Sequence, residues 1–566
     1  MAPRSKPRKK AHKLGGSDGI FQFPEAILQK IFFFLPVEDA VSLSAASKTW
    51  RNVWTSLPVL NLRLDHSEYV TFENFVSSVE DSLSILRSRK AKIESFFLTI
   101  DPQEKEGSDL ESHLHDWLTL IMKNYVKEID LRVSESPNDI FYTIPQSVFT
   151  SKSLVKLQLI GCKFPADISF SDGGGDRKKS RRRRHEFLCL KEIILEDVVA
   201  RDDQIKELVN HSKNFLEKLT IKTSPAIELL SLEFFLKLSF IEVNVKTLRV
   251  AQATNLDTMV LYGLHRLYAS DVWNIKTLRC LTWHTRAYQW IKAFISTLPL
   301  LETIQMFMVR NEKIQIRSDS LKNFFLCEGQ RFEEPIEVEV DASRLSKIYF
   351  TGFSFPEITM LRRSPRVELH HFGHSSGGID SSQLYRLGKF SQNVIHSLLQ
   401  IHLHKIFIEN LLTLEELKEH PVVYHPTNVT MLVIECIPVA SNYSSFLNAL
   451  FWTCHPSRLI VLMNREETLK SPHKASFIRY LVDELMNREE TNPNCCPEHN
   501  KPKCWRHYIV DVTFELYRST PHEFDEGEEL TNIPLEKAQN GAFSLLQTTT
   551  RGFVVQFRLL WLPYPV

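Results

Sequence analysis

Leu154-Val155-Lys156-Leu157-Gln158-Leu159-Ile160-Gly161-Cys162 is the stretch whose reading decides the fold. Leucine stands at its first, fourth and sixth positions and cysteine at its ninth. The spacing recurs, with aliphatic or aromatic substitutes, at Ile93/Phe96/Leu98, Val126/Ile129/Leu131, Leu190/Ile193/Leu195 and Leu216/Leu219/Ile221. Further copies stand at Val245/Leu248/Val250, Leu301/Ile304/Met306, Leu345/Ile348/Phe350 and Val429/Leu432/Ile434. Several successive starts are evenly separated: 126 to 154 is 28 residues, 190 to 216 is 26 and 216 to 245 is 29. From 345 to 429 the interval opens to 84, so there the pattern degenerates or holds insertions.

An apolar triplet of this length cannot bury itself alone. Stacked copies bury one another and form a continuous core beneath a parallel sheet. The pattern L-x-x-L-x-L-x-x-C and a period in or near 20–29 residues are those of leucine-rich repeats. A generic α/β domain with coincidental spacing is the alternative, and the number of copies favours the solenoid. A chain of 566 residues also exceeds what a single core sustains, which suits a repeat array joined to a shorter module.

Working outward, the grammar changes near the N-terminus. From Phe23 the apolar residues Ile27, Leu28, Ile31, Phe34 and Leu35 recur at three- and four-residue steps, one stripe on a helix. Pro24 suits a first helical turn, and Pro36 ends the helix by removing a donor and restricting Leu35. Second and third short helices fit residues 37–44 and 45–54, closed by Ser56-Leu57-Pro58. These residues carry a resemblance. Phe23-Pro24-Glu25-Ala26-Ile27-Leu28, Ile31, Leu35-Pro36, Asp39-Ala40-Val41, Ser47-Lys48, Trp50-Arg51 and Trp54-Thr55-Ser56-Leu57-Pro58 resemble a plant-type F-box. Phe451-Trp452-Thr453-Cys454-His455-Pro456 and Lys503-Cys504-Trp505-Arg506-His507-Tyr508 resemble segments from the C-terminal half of plant F-box proteins with leucine-rich repeats.

The resemblance implies a non-catalytic substrate receptor of a Skp–cullin–F-box ubiquitin ligase. Phe23, Pro24, Ile27, Leu28, Ile31, Leu35, Pro36 and Trp50 would dock on a Skp-type adaptor and, through it, a cullin, while the repeats hold an unknown target protein. A leucine-rich binding scaffold without ligase coupling is the alternative. It is motivated by Phe23 in place of the family's leucine, by Ala46, and by Thr49 in place of an arginine. The expected architecture is α/β: a basic disordered tail over 1–19, a three-helix F-box over 20–60, and a curved repeat solenoid over 61–420 with a basic loop insertion at 172–186. A repeat-like α/β region over 421–515 and a partly ordered tail over 516–566 complete it.

Charge is balanced at +1 from 69 basic and 68 acidic residues, so only local basic runs matter. Arg8, Lys9 and Lys10, and Arg181, Arg182, Arg183 and Arg184 read as nuclear import signals, with a solvated basic loop as the alternative for the second. Neither run is interleaved with aromatics, so nucleic acid is not the expected partner. The N-terminus lacks a secretory signal pattern and no apolar run is of membrane-spanning length, giving nucleus and cytoplasm as the expected location. Nine cysteines in 566 residues are too sparse for a disulfide scaffold.

Cys495-Cys496-Pro497-Glu498-His499, with Cys504 and His507, is the one metal-like cluster. The adjacency of Cys495 and Cys496 and the absence of C-x-x-C favour a loop packed under Trp505, and no metal or cofactor is expected. No phosphate-binding, nucleophile-elbow or zinc-protease motif is present, so no catalytic residue is expected; His402 and His404, alternating with Ile401 and Leu403, suit a strand edge or a solvent-facing helix.

Overall fold

The computed structural model describes residues 23–35, 37–46, 48–56, 59–66, 71–89, 92–100, 107–134, 142–168, 189–223, 225–263, 266–267, 275–284, 294–308, 313–330, 332, 334–353, 355–364, 366–373, 378–379, 381–394, 398–404, 407–408, 426–434, 443–463, 473–486, 496, 503–518 and 553–563. The chain forms two units, Met1–Ala226 and Ile227–Val566.

The first unit begins with three helices, α1 (Glu25–Phe34), α2 (Val37–Ala46) and α3 (Lys48–Ser56). In α1, the carbonyl of Pro24 accepts the first backbone bonds, from the N–H groups of Ile27 at 2.8 Å and Leu28 at 3.2 Å. At the other end Leu35 is extended, the conformation that the following Pro36 requires. Strands Val59–Asp65, Lys92–Ile100, Glu128–Val133, Lys156–Ile160, Glu192–Glu196 and Lys218–Lys222 then pair in parallel, each with the next. Helices Phe72–Arg89, Gly107–Met122 and Asp202–His211 form parts of the connections.

The register explains the spacing seen in the sequence. Phe96, Ile129, Leu157, Ile193 and Leu219 stand directly opposite one another across five strands, and Leu98, Leu131, Leu159, Leu195 and Ile221 make a second row. Every member of both rows is essentially inaccessible. Truncating any of these aliphatic residues to alanine is of the class that costs roughly 2–5 kcal/mol. On the other face, ion pairs tie neighbouring strands, among them Lys156–Glu192 at 3.5 Å and Lys222–Glu196 at 3.2 Å.

The deciding stretch ends in a turn that only glycine fits. Gly161 has φ +66°, and a Cβ there would lie 1.9 Å from the carbonyl oxygen of Val133. Gly161→Ala combines a left-handed backbone penalty with a clash against main chain, so we expect a loss of about 2–4 kcal/mol, measured by chemical denaturation. Cys162 beside it is fully buried; its Sγ lies 3.3 Å from the Ile160 carbonyl oxygen, and burial pushes its thiol pKa upward.

The second unit repeats the logic with more copies. Strands Phe240–Asn244, Thr258–Tyr262, Cys280–His284, Thr303–Met308, Asn323–Glu328, Lys347–Gly352, Arg366–Gly373, Leu398–His404, Thr427–Ile434 and Cys454–Met463 pair in parallel in that order. Ile241, Met259, Leu281, Ile304, Phe324, Ile348, Leu369, Ile401, Leu432 and Leu459 form one continuous buried row. Smaller parallel sheets accompany it: Leu230–Glu233 with Thr247–Ala251 and Arg266–Leu267, Ile314–Arg317 with Glu337–Asp341 and Glu357–Met360, and Gly378–Ile379 with Phe407–Ile408.

Three sequence expectations change here. The Val245/Leu248/Val250 copy belongs to a small sheet, not to the main row, where Ile241 and Val243 stand instead. The 84-residue opening holds two regular strands, Arg366–Gly373 and Leu398–His404, so the array does not lapse. Leu398–His404 is an interior strand paired on both sides, neither an edge nor a helix.

The array ends in a reversal. Phe553–Trp561 pairs antiparallel with Cys454–Met463 on one side and with Ile509–Arg518 on the other. Val555 and Phe557 are wholly buried, so this part of the expected tail is an interior strand. The two C-terminal segments that carry the family resemblance meet. Phe451 packs edge-on to Trp505 at 4.9 Å, and the indole N–H of Trp505 donates to Asn448 Oδ1 at 2.8 Å. His455 stacks on Trp561 at 3.9 Å with the rings 6° apart.

Burial pushes the His455 pKa down from 6.5 to about 3, with a bond to the Phe451 backbone working in the opposite direction. Because the folded value is depressed, the unfolded chain binds the extra proton. Stability is therefore complete above pH 6.5 and falls as the pH drops toward 3. Between pH 7 and 4 this group alone removes about 3 kcal/mol. His455→Phe keeps an aromatic ring against Trp561 and is expected to flatten that slope, read as denaturant midpoints at the two pH values.

No helix among the described residues is long and apolar enough to cross a membrane. The basic runs at Arg8–Lys10 and Arg181–Arg184 lie outside the described residues, as do Pro36 and Cys495.

Candidate functional site

Two surfaces invite partners, one in each unit. The first is α1. The sequence reads as a single apolar stripe, but the fold splits it in two. Leu28 and Phe32, four residues apart, turn inward at 3% and 2% exposure. Phe32 packs edge-on to Trp50 at 5.1 Å and tilted against Trp54 at 5.7 Å. One position round the helix, Ile27, Ile31 and Phe34 follow at i, i+4 and i+7. Ile27 is 44% and Phe34 80% exposed, with Ile31 half-buried between them. Phe23, 47% exposed, precedes the helix, and Pro24 beside it is exposed.

Among the residues expected to face a partner, Phe23, Pro24 and Ile27 are thus on the surface, and Ile31 and Leu35 are half-buried. Leu28 and Trp50 are inside the helical module, where they hold α1 in place and present no surface. Phe34 was absent from the expected set and is the most exposed large apolar side chain among the described residues. Its position seven residues after Ile27 was the available signal. An apolar row left open on so small a module is the usual sign of an interface.

The second surface is the sheet face opposite the buried rows of the second unit. Phe325, Tyr349, His370 and His402 each stand between the two buried row positions of their strand, on four successive strands, and are in register. Parallel strands about 4.8 Å apart hold equivalent rings at stacking distance. The centroids are 4.2, 4.5 and 4.2 Å apart, with planes at 2°, 17° and 16°. A neighbouring column runs Tyr262, His284, Phe307, stacked at 4.4 and 3.5 Å. The Tyr262 hydroxyl donates to Glu242 at 3.0 Å. Burial lowers the His284 pKa to about 4, so at neutral pH it stacks as an uncharged ring.

Charge borders the longer column. Glu368 lies 3.4 Å from Lys347 and 2.8 Å from Arg366. Burial works to raise its carboxyl pKa, but these two cations outweigh that effect and hold it below the usual range. A flat row of stacked rings with a charged border has the composition of a protein-binding surface, aromatic at the centre and polar at the rim. The sequence pointed to a repeat surface without naming these rings. The usable signal was a ring-bearing residue between the two inward positions of consecutive strands. His371 is part of the opposite, buried row, 2% exposed and stacked on Phe350 at 5.1 Å.

Neither surface groups a nucleophile with a base. Cys454 is fully buried, and burial pushes its pKa up to about 12.

Comparison with known proteins matches two parts of the chain. The F-box domain family profile matches residues 20–62. A profile described as "FBD-associated F-box protein At5g56370, LRR repeats" matches residues 114–281. Similar curated proteins include three of Arabidopsis thaliana. F-box/LRR-repeat protein 13 is 29% identical over 27% of this chain and 34% of its own length. FBD-associated F-box protein At1g66310 is 28% identical over 37% of this chain and 42% of its own. F-box/FBD/LRR-repeat protein At4g00160 is 28% identical over 26% of this chain and 31% of its own. The chain thus spans well under half the length of the curated relatives it matches.

Proposed function

We propose, from the premise that this chain belongs to the plant F-box/leucine-rich-repeat family, that it is the substrate-recognition subunit of a Skp–cullin–F-box ubiquitin ligase. The observation that carries the reading is the open apolar row Ile27, Ile31 and Phe34 on α1, inside the segment matched as an F-box. That row docks on a Skp-type adaptor and, through it, a cullin. The repeats hold a target protein, and the stacked column from Phe325 to His402 is the best-formed surface for it.

Catalysis is then by proximity. Holding target and activated ubiquitin in one assembly raises the effective concentration of the target lysine, and no side chain of this chain touches the bond being made. Purified chain is expected to co-elute with a Skp-type adaptor and, with cullin and the ubiquitin-loading enzymes added, to support ubiquitination of a captured target. Adaptor binding without ubiquitin transfer would favour the scaffold reading, and absence of adaptor binding would sink the proposal.

The target surface has its own test. Tyr349→Ala with His402→Ala leaves the buried row intact and removes two rings of the column. Captured from cells with the proteasome blocked, the double variant is expected to retain adaptor and to lose target by at least about tenfold. Targets held equally by the variant would place recognition elsewhere. The basic runs support, within the same proposal, entry into the nucleus.

A further inference from the structure

A small polar cluster lies in the C-terminal part of the second unit. Cys504 opens a single 3-10 turn, Trp505–His507, in which the His507 N–H donates to the Cys504 carbonyl at 3.1 Å. Side chains three residues apart eclipse in such a turn, so Cys504 and His507 project to the same side. Cys496 comes back to meet them. The two sulfurs and a ring nitrogen of His507 all lie within 4.8 Å of one another. Cys504 is wholly buried and Cys496 is 6% exposed.

The surroundings hold the sulfurs in place. The backbone N–H of Cys504 donates to the Cys496 sulfur at 3.2 Å. The Arg506 guanidinium, paired with Glu484 at 2.5 Å and lying over the Trp505 ring at 4.6 Å, also reaches the Cys504 sulfur. The turn is fixed from beneath by Trp505, which is buried against Phe451 and bonded to Asn448. Two of the three donors thus stand on one braced turn, and Cys496 meets them there.

We infer that Cys496, Cys504 and His507 bind a zinc ion. Two sulfurs and an imidazole are the donor set of a borderline-soft cation, and hard cations such as magnesium and calcium would find no oxygen ligand in the trio. Ligand bonds of about 2.3 Å to sulfur and 2.0–2.1 Å to nitrogen set donors about 3.5–3.8 Å apart around one ion, which the trio reaches by closing through about 1 Å. Water or one further donor takes the fourth position. The adjacency of Cys495 and Cys496 is no obstacle, because only Cys496 is required. The ion would fasten residue 496 to the turn that seats Trp505 against the helix Tyr443–Thr453, so that binding free energy becomes folding free energy. This site is independent of the ligase reading and stands or falls without it.

The experiment uses the full chain purified without chelator. Elemental analysis is expected to find one zinc per chain. Exchange for cobalt(II) should give the visible bands of a tetrahedral ion with thiolate-to-cobalt charge transfer. Cys504→Ser and His507→Gln should each reduce metal to background, whereas Cys280→Ser, altering a half-buried thiol on a main-sheet strand, should retain it. In case the site variants fail to fold, a mercurial thiol reagent is titrated into the unaltered chain with a metallochromic dye present, and zinc should appear as the thiols are consumed. A chain that carries no zinc and takes up no cobalt overturns the inference. So does metal retained by both site variants, or a Cys496–Cys504 disulfide found by mass spectrometry of the unreduced chain.

Discussion

Ile27→Glu is expected to abolish adaptor binding while leaving the helical module folded, with affinity falling at least about 100-fold, or roughly 3 kcal/mol. The reason lies in the division of α1 into two apolar rows. Ile27 is 44% exposed and does not belong to the inward row, so a charge there stays in water until a partner arrives. On docking, that carboxylate would be buried unpaired at the centre of an apolar contact. Leu28→Glu is the instructive contrast. At 3% exposure Leu28 lies within the module whose core includes Phe32, Trp50 and Trp54, so a charge there should melt α1 and lose the adaptor by unfolding. Calorimetric binding together with circular dichroism separates the two. An Ile27→Glu chain that binds adaptor like the unaltered one would remove α1 from the interface.

What was legible in the sequence followed from how local the signal is. Leu154, Leu157, Leu159 and Cys162 could be read because all four are apolar and all four are buried in the first unit. The strand Arg366–Gly373 escaped because its buried row position is His371, which does not count as apolar, although Phe350 and Phe355 surround it as they would an aliphatic residue. Leu248 and Val250 had the right spacing for the wrong sheet. Residue spacing specifies alternation along a strand, while the choice between two parallel sheets is made by three-dimensional packing. Helix α1 was recognised, but its apolar residues were merged into one row. The distinction between Ile27 outside and Leu28 inside depends on where Trp50 and Trp54 pack, some twenty residues later. Cys496, Cys504 and His507 were all named in the sequence as part of a metal-like cluster from which no metal was expected, but their convergence within 4.8 Å is a property of the fold.

Ending the chain at Arg551 is expected to unfold the C-terminal part of the second unit, although the removed segment reads as a tail. Phe553–Trp561 is hydrogen-bonded on both edges, to Cys454–Met463 and to Ile509–Arg518, so its loss bares two strand edges at once. Val555, Phe557 and Leu559 are 0%, 0% and 4% exposed. At roughly 2 kcal/mol or more of burial each, they rival the whole margin of about 5–15 kcal/mol by which domains are stable. Polar contacts leave with them. Gln556 accepts from Arg458 at 2.7 Å and donates to Glu515 at 2.6 Å, and Trp561 donates to the Pro456 carbonyl at 2.8 Å while covering His455. Removing the strand therefore also strands a buried histidine and exposes Phe451 beside Trp505. Limited proteolysis should show new cleavage between residues 443 and 518, and the near-ultraviolet signal of Trp505 should be lost. Phe557→Ala, costing about 3–5 kcal/mol, should reproduce the effect in milder form. A truncated chain with an unchanged cleavage pattern would mean that the strands Cys454–Met463 and Ile509–Arg518 hold without the one between them, and the reversal at the end of the array would then be an addition to the fold and not its closure.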